Sequence, residues 1–145
     1  MFRNIVLASY FWLTMLLSVP FYLLYHFLHI FSGRLASRYL ERVISLWAKH
    51  VLFVAGVKLN VHGWENIPDS DQVCFVSNHQ SYMDIPVLVS IIPKKVGFLA
   101  KKELNRVPVL NLWMQALECV LIDRKRPSQA LNKARERIKK IKNGK

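Results

Sequence analysis

The chain has 145 residues, the size of one domain. Its hydrophobic share of 52% excludes a disordered polar tail as the description of the whole. Two cysteines, Cys74 and Cys119, cannot build a disulfide framework, and neither has metal-ligand neighbours in sequence. The formal charge of +12 is local: residues 94–145 carry fifteen basic and four acidic groups, residues 1–93 six and five.

The apolar residues are local too. No Asp, Glu, Lys or Arg occurs between Arg3 and Arg34. A helix rising about 1.5 Å per residue needs roughly 20 apolar residues to cross a bilayer, so residues 5–31 are long enough. Pro20 stands mid-stretch and predicts either one kinked spanning helix or a helix pair lying partly in the interface. Tyr22, Tyr25, His26, Phe27, His29 and Phe31 crowd the second half, as at a membrane boundary. Arg34, Arg38, Arg42 and Lys49 follow, and this positive flank predicts that the rest of the chain lies on the cytoplasmic side.

Residues 34–55 read as a cationic amphipathic helix after a membrane anchor at 1–33. Its apolar positions are Leu35, Tyr39, Val43, Leu46, Trp47 and Phe53, and Gly56 stops it. From residue 56 the pattern is α/β. Residues 57–61 alternate as a half-buried strand, 73–77 form a short buried strand, and 96–100 and 120–122 are further strands. Residues 85–92 form a short apolar helix. Residues 129–142 form another, with Leu131, Ala134, Ile138 and Ile141 on one face. Its basic residues have no interleaved aromatics, so a solvated or lipid-facing helix fits better than a nucleic-acid surface.

The chemistry concentrates in Asn78-His79-Gln80-Ser81-Tyr82-Met83-Asp84. A strand-to-helix turn there brings the Asp84 carboxylate back to one imidazole nitrogen of His79, leaving the other free to take a proton. Spacing alone fits equally a helix-capping aspartate and a polar turn histidine.

Asn78-His79-x-Ser81-x-x-Asp84, an HX4D motif, resembles the first signature of the glycerolipid acyltransferases. Val61-x-Gly63-x-Glu65-Asn66-Ile67-Pro68, Ala100-Lys101-Lys102-Glu103-Leu104 with Pro108, and Ile122-Asp123-Arg124 are similar to other stretches of that family, in the same order. The resemblance implies an acyltransferase α/β domain over 56–145 with the His-Asp pair at a strand-to-helix turn. It implies His79 as general base, Asp84 as its orienting partner, and Asn78 and Ser81 as support. Lys101 and Arg124 would hold the phosphate of a lysophosphatidate acceptor, with Lys102 a weaker candidate. The donor would be acyl-CoA or acyl carrier protein, a substrate and not a cofactor; no metal is implied, and membrane lipids are the setting.

The chain departs from that pattern in two ways. The family's later Glu-Gly-Thr-Arg signature is not found before Lys145, and Glu118 and Asn111 stand where glycine is usual. The alternatives are a truncated, non-catalytic, membrane-attached remnant that binds lipid or a partner, and an acyltransferase acting on another lysolipid.

Overall fold

The structure, a computed structural model, describes residues 2–70 and 73–142. The chain forms two compact units: the residues up to Leu59 with His79–Val96, and Asn60–Asn78 with Gly97 onward.

The first unit is helical. Helix α1 spans Phe2–Leu17 and α2 spans Val19–Phe31. The break falls at Ser18, whose hydroxyl donates to the Met15 carbonyl at 2.6 Å. Pro20, which has no N–H to give the helix ladder, sits in the first turn of α2, where that donor is not needed. Together Ile5–Phe31 form 27 residues long and apolar enough to cross a membrane, with 6% of the apolar window buried in the protein. Trp12, Leu16, Phe27 and Ile30 stand outward.

Helix α3, Gly33–Val54, begins at Ser32, whose hydroxyl accepts from the Leu35 amide at 3.3 Å. It ends in a Schellman motif. Gly56 takes φ +71°, its amide donates to the Phe53 carbonyl, and the Val57 amide donates to the Leu52 carbonyl. The buried stripe of α3 is Ala36, Leu40, Ile44, Ala48, Val51 and Leu52, packed against α2 and against α4 (Asp84–Ile91). Of the apolar positions read from the sequence, Leu35, Leu46 and Phe53 face outward, with Phe53 79% exposed. The helix carries two apolar stripes, and hydrophobic period alone cannot say which one meets protein. Hydroxyl and imidazole pairs link α3 to α1: Trp47 Nε1 donates to Thr14 Oγ1 at 3.2 Å, and Tyr10 bonds His50.

The second unit is built around a parallel pair, β1 (Leu99–Lys101) and β2 (Val120–Ile122), in register Leu99 to Val120 and Lys101 to Ile122. A 3₁₀ turn over Lys102–Arg106 and helix α5, Leu110–Ala116, make the crossover, with Trp113, Met114 and Ala116 buried. Helix α6, Pro127–Lys142, packs on β2. Its apolar stripe is only partly covered: Leu131 is 51% and Ile138 42% exposed, Ala134 is half-buried, and the Ile141 side chain lies outside the described set.

Two glycine-related positions shape the return to β2. A Cβ on Gly97 would lie 2.7 Å from the Leu117 carbonyl oxygen and 3.1 Å from that of Glu118, so only glycine admits this approach. Glu118 itself adopts φ +55°, the left-handed conformation that glycine takes most readily, and its carboxylate pairs with Arg137 of α6.

The α/β reading holds in a helix-rich form with a small parallel sheet, and several expected strands are absent among the described residues. Residues 57–61 and 73–77 have no ladder partner among the described residues and remain irregular, with Val57, Leu59 and Val61 partly exposed and Val76 93% exposed. The strand expected at 96–100 shortens to Leu99–Lys101. A strand exists only through hydrogen bonds to a neighbour, and alternating side chains do not supply one. The segment entering His79 is therefore irregular chain, and the turn is loop-to-helix.

Candidate active site

Asp84 is the first residue of α4, and Pro86 and Val89 of the same helix are buried in the helical unit. Burial of those two positions fixes the helix start, and with it the carboxylate. One oxygen, Asp84 Oδ2, accepts three hydrogen bonds: from the Gln80 amide at 2.7 Å, the Ser81 amide at 2.8 Å and His79 Nδ1 at 2.9 Å. Ser81 shapes the turn further. Its hydroxyl accepts from the Met83 amide at 3.1 Å and its carbonyl from the Asp84 amide at 3.1 Å. Asn78 is exposed.

These contacts settle the electrostatics of the pair. The Ser81 and Gln80 amides, in that order, hold the Asp84 carboxyl below the usual carboxylate range against the desolvation that raises it, and the His79 hydrogen bond adds a smaller lowering. Asp84 is thus an anion at neutral pH. With Nδ1 donating to it, the imidazole keeps its lone pair on Nε2. The His79 side chain is 54% exposed and that of Asp84 29%, so the imidazole is the more open of the two to an incoming hydroxyl. Such an arrangement can take a proton and stabilise the imidazolium that forms.

The other expected site residues lie in the second unit. Lys101 closes β1 and Arg124 follows β2 by two residues; the parallel register brings both to the C-terminal end of the pair. Both side chains are exposed. Lys102 has a different engagement: its ammonium donates to Asp123 Oδ2 at 3.0 Å. That bond and the Lys125 amide, which donates to Oδ1 at 3.0 Å, lower the Asp123 pKa. The Lys102–Asp123 pair escaped the sequence because it depends on the β1–β2 register, a pairing of residues 21 apart. Among the described residues no group of three or more histidine, cysteine or acidic side chains gathers as a metal site. Among the described residues, Cys74 and Cys119 form no disulfide.

Residues 58–145 match the family model Acyltransferase, more than half of the chain, and the chain belongs to that family. Curated relatives share the resemblance. The chain is 29% identical over 91 residues to the 1-acyl-sn-glycerol-3-phosphate acyltransferase alpha of Homo sapiens, covering 63% of this chain and 32% of that protein. It is 35% identical over 97 residues to the 1-acyl-sn-glycerol-3-phosphate acyltransferase of Saccharomyces cerevisiae, covering 64% and 32%. The match to the chloroplastic 1-acyl-sn-glycerol-3-phosphate acyltransferase BAT2 of Brassica napus runs over 131 residues at 28% identity, covering 90% and 36%. The chain thus spans about a third of the length of the curated relatives it matches. No solved structure matches it.

Proposed function

We propose that this protein is an O-acyltransferase that moves a fatty acyl group from a thioester donor to the free hydroxyl of 1-acyl-glycerol-3-phosphate, giving phosphatidate. The observation that carries this reading is the His79–Asp84 pair, with its carboxylate tied to two backbone amides and its imidazole exposed. His79 Nε2 takes the hydroxyl proton as the acceptor oxygen attacks the thioester carbonyl. The tetrahedral adduct collapses, the C–S bond breaks, and the departing sulfur receives the proton back from the imidazolium. Asp84 holds the ring in place and offsets its transient charge. General-base help of this kind contributes about 10²–10⁴ in rate, and positioning of the two substrates supplies much of the rest.

The acceptor's phosphate is assigned to Lys101 and Arg124, whose shared end of the β1–β2 pair supports a joint role. A guanidinium offers paired donors to a phosphate and an ammonium a point charge. The donor is acyl-CoA or acyl carrier protein; in this reaction no cofactor and no metal take part.

The work is done at a membrane, with the part after residue 33 on the cytoplasmic side. The Ile5–Phe31 segment and the outward Leu35, Leu46 and Phe53 of α3, beside Arg34, Arg38 and Arg42, support this. The test is product identity. Membranes containing the native chain are given labelled acyl-CoA and lysophosphatidate, and the expected product is labelled phosphatidate. A chain that sediments with membranes but forms no labelled lipid would point to the non-catalytic, lipid-binding alternative.

A further inference from the structure

The second unit holds a cavity of about 310 Å³ that neither Lys101 nor Arg124 lines. Its walls carry Lys102, Arg126 and Lys133 against a single carboxylate, Asp123, with the Asn105 and Gln129 amides completing a polar lining. Three cations do not share a small space without cost, so their gathering needs a structural cause. Part of it is in view: α6 packs on β2, which carries Lys133 to 3.5 Å from the Leu121 carbonyl. The carboxylate does not cancel the excess. Both oxygens of Asp123 are already engaged, one by Lys102 and one by the Lys125 amide. Arg126 and Lys133 add two further positive charges to the same walls, so the lining carries three cations against one carboxylate.

We propose that this cavity is a second anion site, one that takes a phosphate or diphosphate group separate from the phosphate held by Lys101 and Arg124. A guanidinium fork, an ammonium and two amides supply donors to phosphate oxygens, and Asp123 holds Lys102 on the cavity wall. The volume lies at the small end of ligand pockets, about 300–1,000 Å³. With Leu121 its one apolar wall, it suits a charged head and not an acyl chain. Phosphate of this kind reaches the protein from two sources: the nucleotide end of a coenzyme A donor, or the headgroup of an anionic lipid. That the site serves acyl transfer rests on the function proposed above; that it binds phosphate does not.

Binding without turnover tests it. The full chain in neutral micelles is titrated with pyrophosphate, coenzyme A and its 3′-dephospho form, and separately mixed with phosphatidylcholine vesicles with and without phosphatidate. The variant Arg126→Gln/Lys133→Gln is compared with Arg135→Gln/Lys139→Gln, which removes the same charge from α6 residues outside the cavity. The cavity variant is expected to bind pyrophosphate at least tenfold more weakly than the native chain, with the control within twofold. A parallel tenfold loss for coenzyme A identifies the donor as the source; a parallel loss for phosphatidate vesicles alone identifies the lipid. Equal pyrophosphate affinity in native chain and cavity variant would overturn the site, as would an equal loss in the control. Because no step requires acyl transfer, an inactive chain that binds pyrophosphate through these residues refutes the proposed reaction and leaves the site standing.

Discussion

Replacing Asp84 separates what its charge does from what its position does. Because a single oxygen accepts from Gln80, Ser81 and His79, the Asp84→Asn amide has one orientation that fits. Its oxygen must face the two backbone amides, since its NH₂ there would oppose two donors. That same oxygen still accepts from His79 Nδ1, so ring and tautomer are kept and only the negative charge is lost. A neutral acceptor is about half as strong as a charged one, which translates to a loss of about tenfold in kcat. Asp84→Ala removes the acceptor altogether, releases the ring and should cost about 10²–10⁴, the full value of general-base help. Initial rates of thiol release from acyl-CoA, at saturating lysophosphatidate, measure both. An Asn variant as slow as the Ala variant would refute the pinned-oxygen geometry; an Asn variant at the native rate would refute imidazolium formation in the slow step. The pH dependence has a definite sign. A carboxyl held below its usual value, about 3.9, stabilises the folded turn fully above that value. The stabilisation disappears as pH falls through the lower folded value, so α4 should loosen only in acid beneath the ordinary carboxylate range.

Arg124→Ala should raise the acceptor's apparent KM about tenfold with little change for the donor, the size of one lost charged hydrogen bond; an unchanged acceptor KM in steady-state kinetics would remove it from phosphate binding. Gly97→Ala puts a methyl 2.7 Å from the Leu117 carbonyl oxygen, a backbone clash that should cost about 1–3 kcal/mol in thermal or denaturant unfolding of the chain. Tyr39→Phe removes a buried hydroxyl without a partner among the described residues, and stability should stay level or rise by about 1 kcal/mol in the same assay. Leu16→Glu combined with Ile30→Glu charges two outward positions of the apolar segment and should shift the chain from membrane pellet to alkaline supernatant; continued sedimentation would count against insertion.

What the sequence made legible follows from which interactions are local. Helix ends were readable where Gly56 and Pro20 act on chain a few residues away. The His79–Asp84 contact was readable for the same reason, as a separation of five residues closed by one turn. Spacing could not distinguish an aspartate that caps the turn from one that holds the imidazole, and in the structure one oxygen accepts from the turn's amides and from His79 alike. The strands expected at 57–61 and 73–77 were misread because a strand is a pairing, and the described chain offers no partner there. Which apolar stripe of α3 meets protein was not legible, because Leu35 and Phe53 are as apolar as Leu40 and Leu52, and only packing distinguishes them. The engagement of Lys102 by Asp123 waited on the strand register. Glu118, by contrast, was recognisable as a residue in a glycine's place, and its positive φ with the Arg137 pair shows how that turn accommodates a side chain.

The most direct measurement is lysophosphatidate-dependent thiol release from acyl-CoA by membranes carrying the native chain and its His79→Ala variant at equal abundance. The expected result is release that requires the acceptor in the native chain and falls at least 10²-fold, about the lower bound of general-base help, in the variant. Equal acceptor-dependent release by the two chains would contradict His79 as the base; no release by a folded, membrane-bound native chain would contradict the acyl-transfer reading itself.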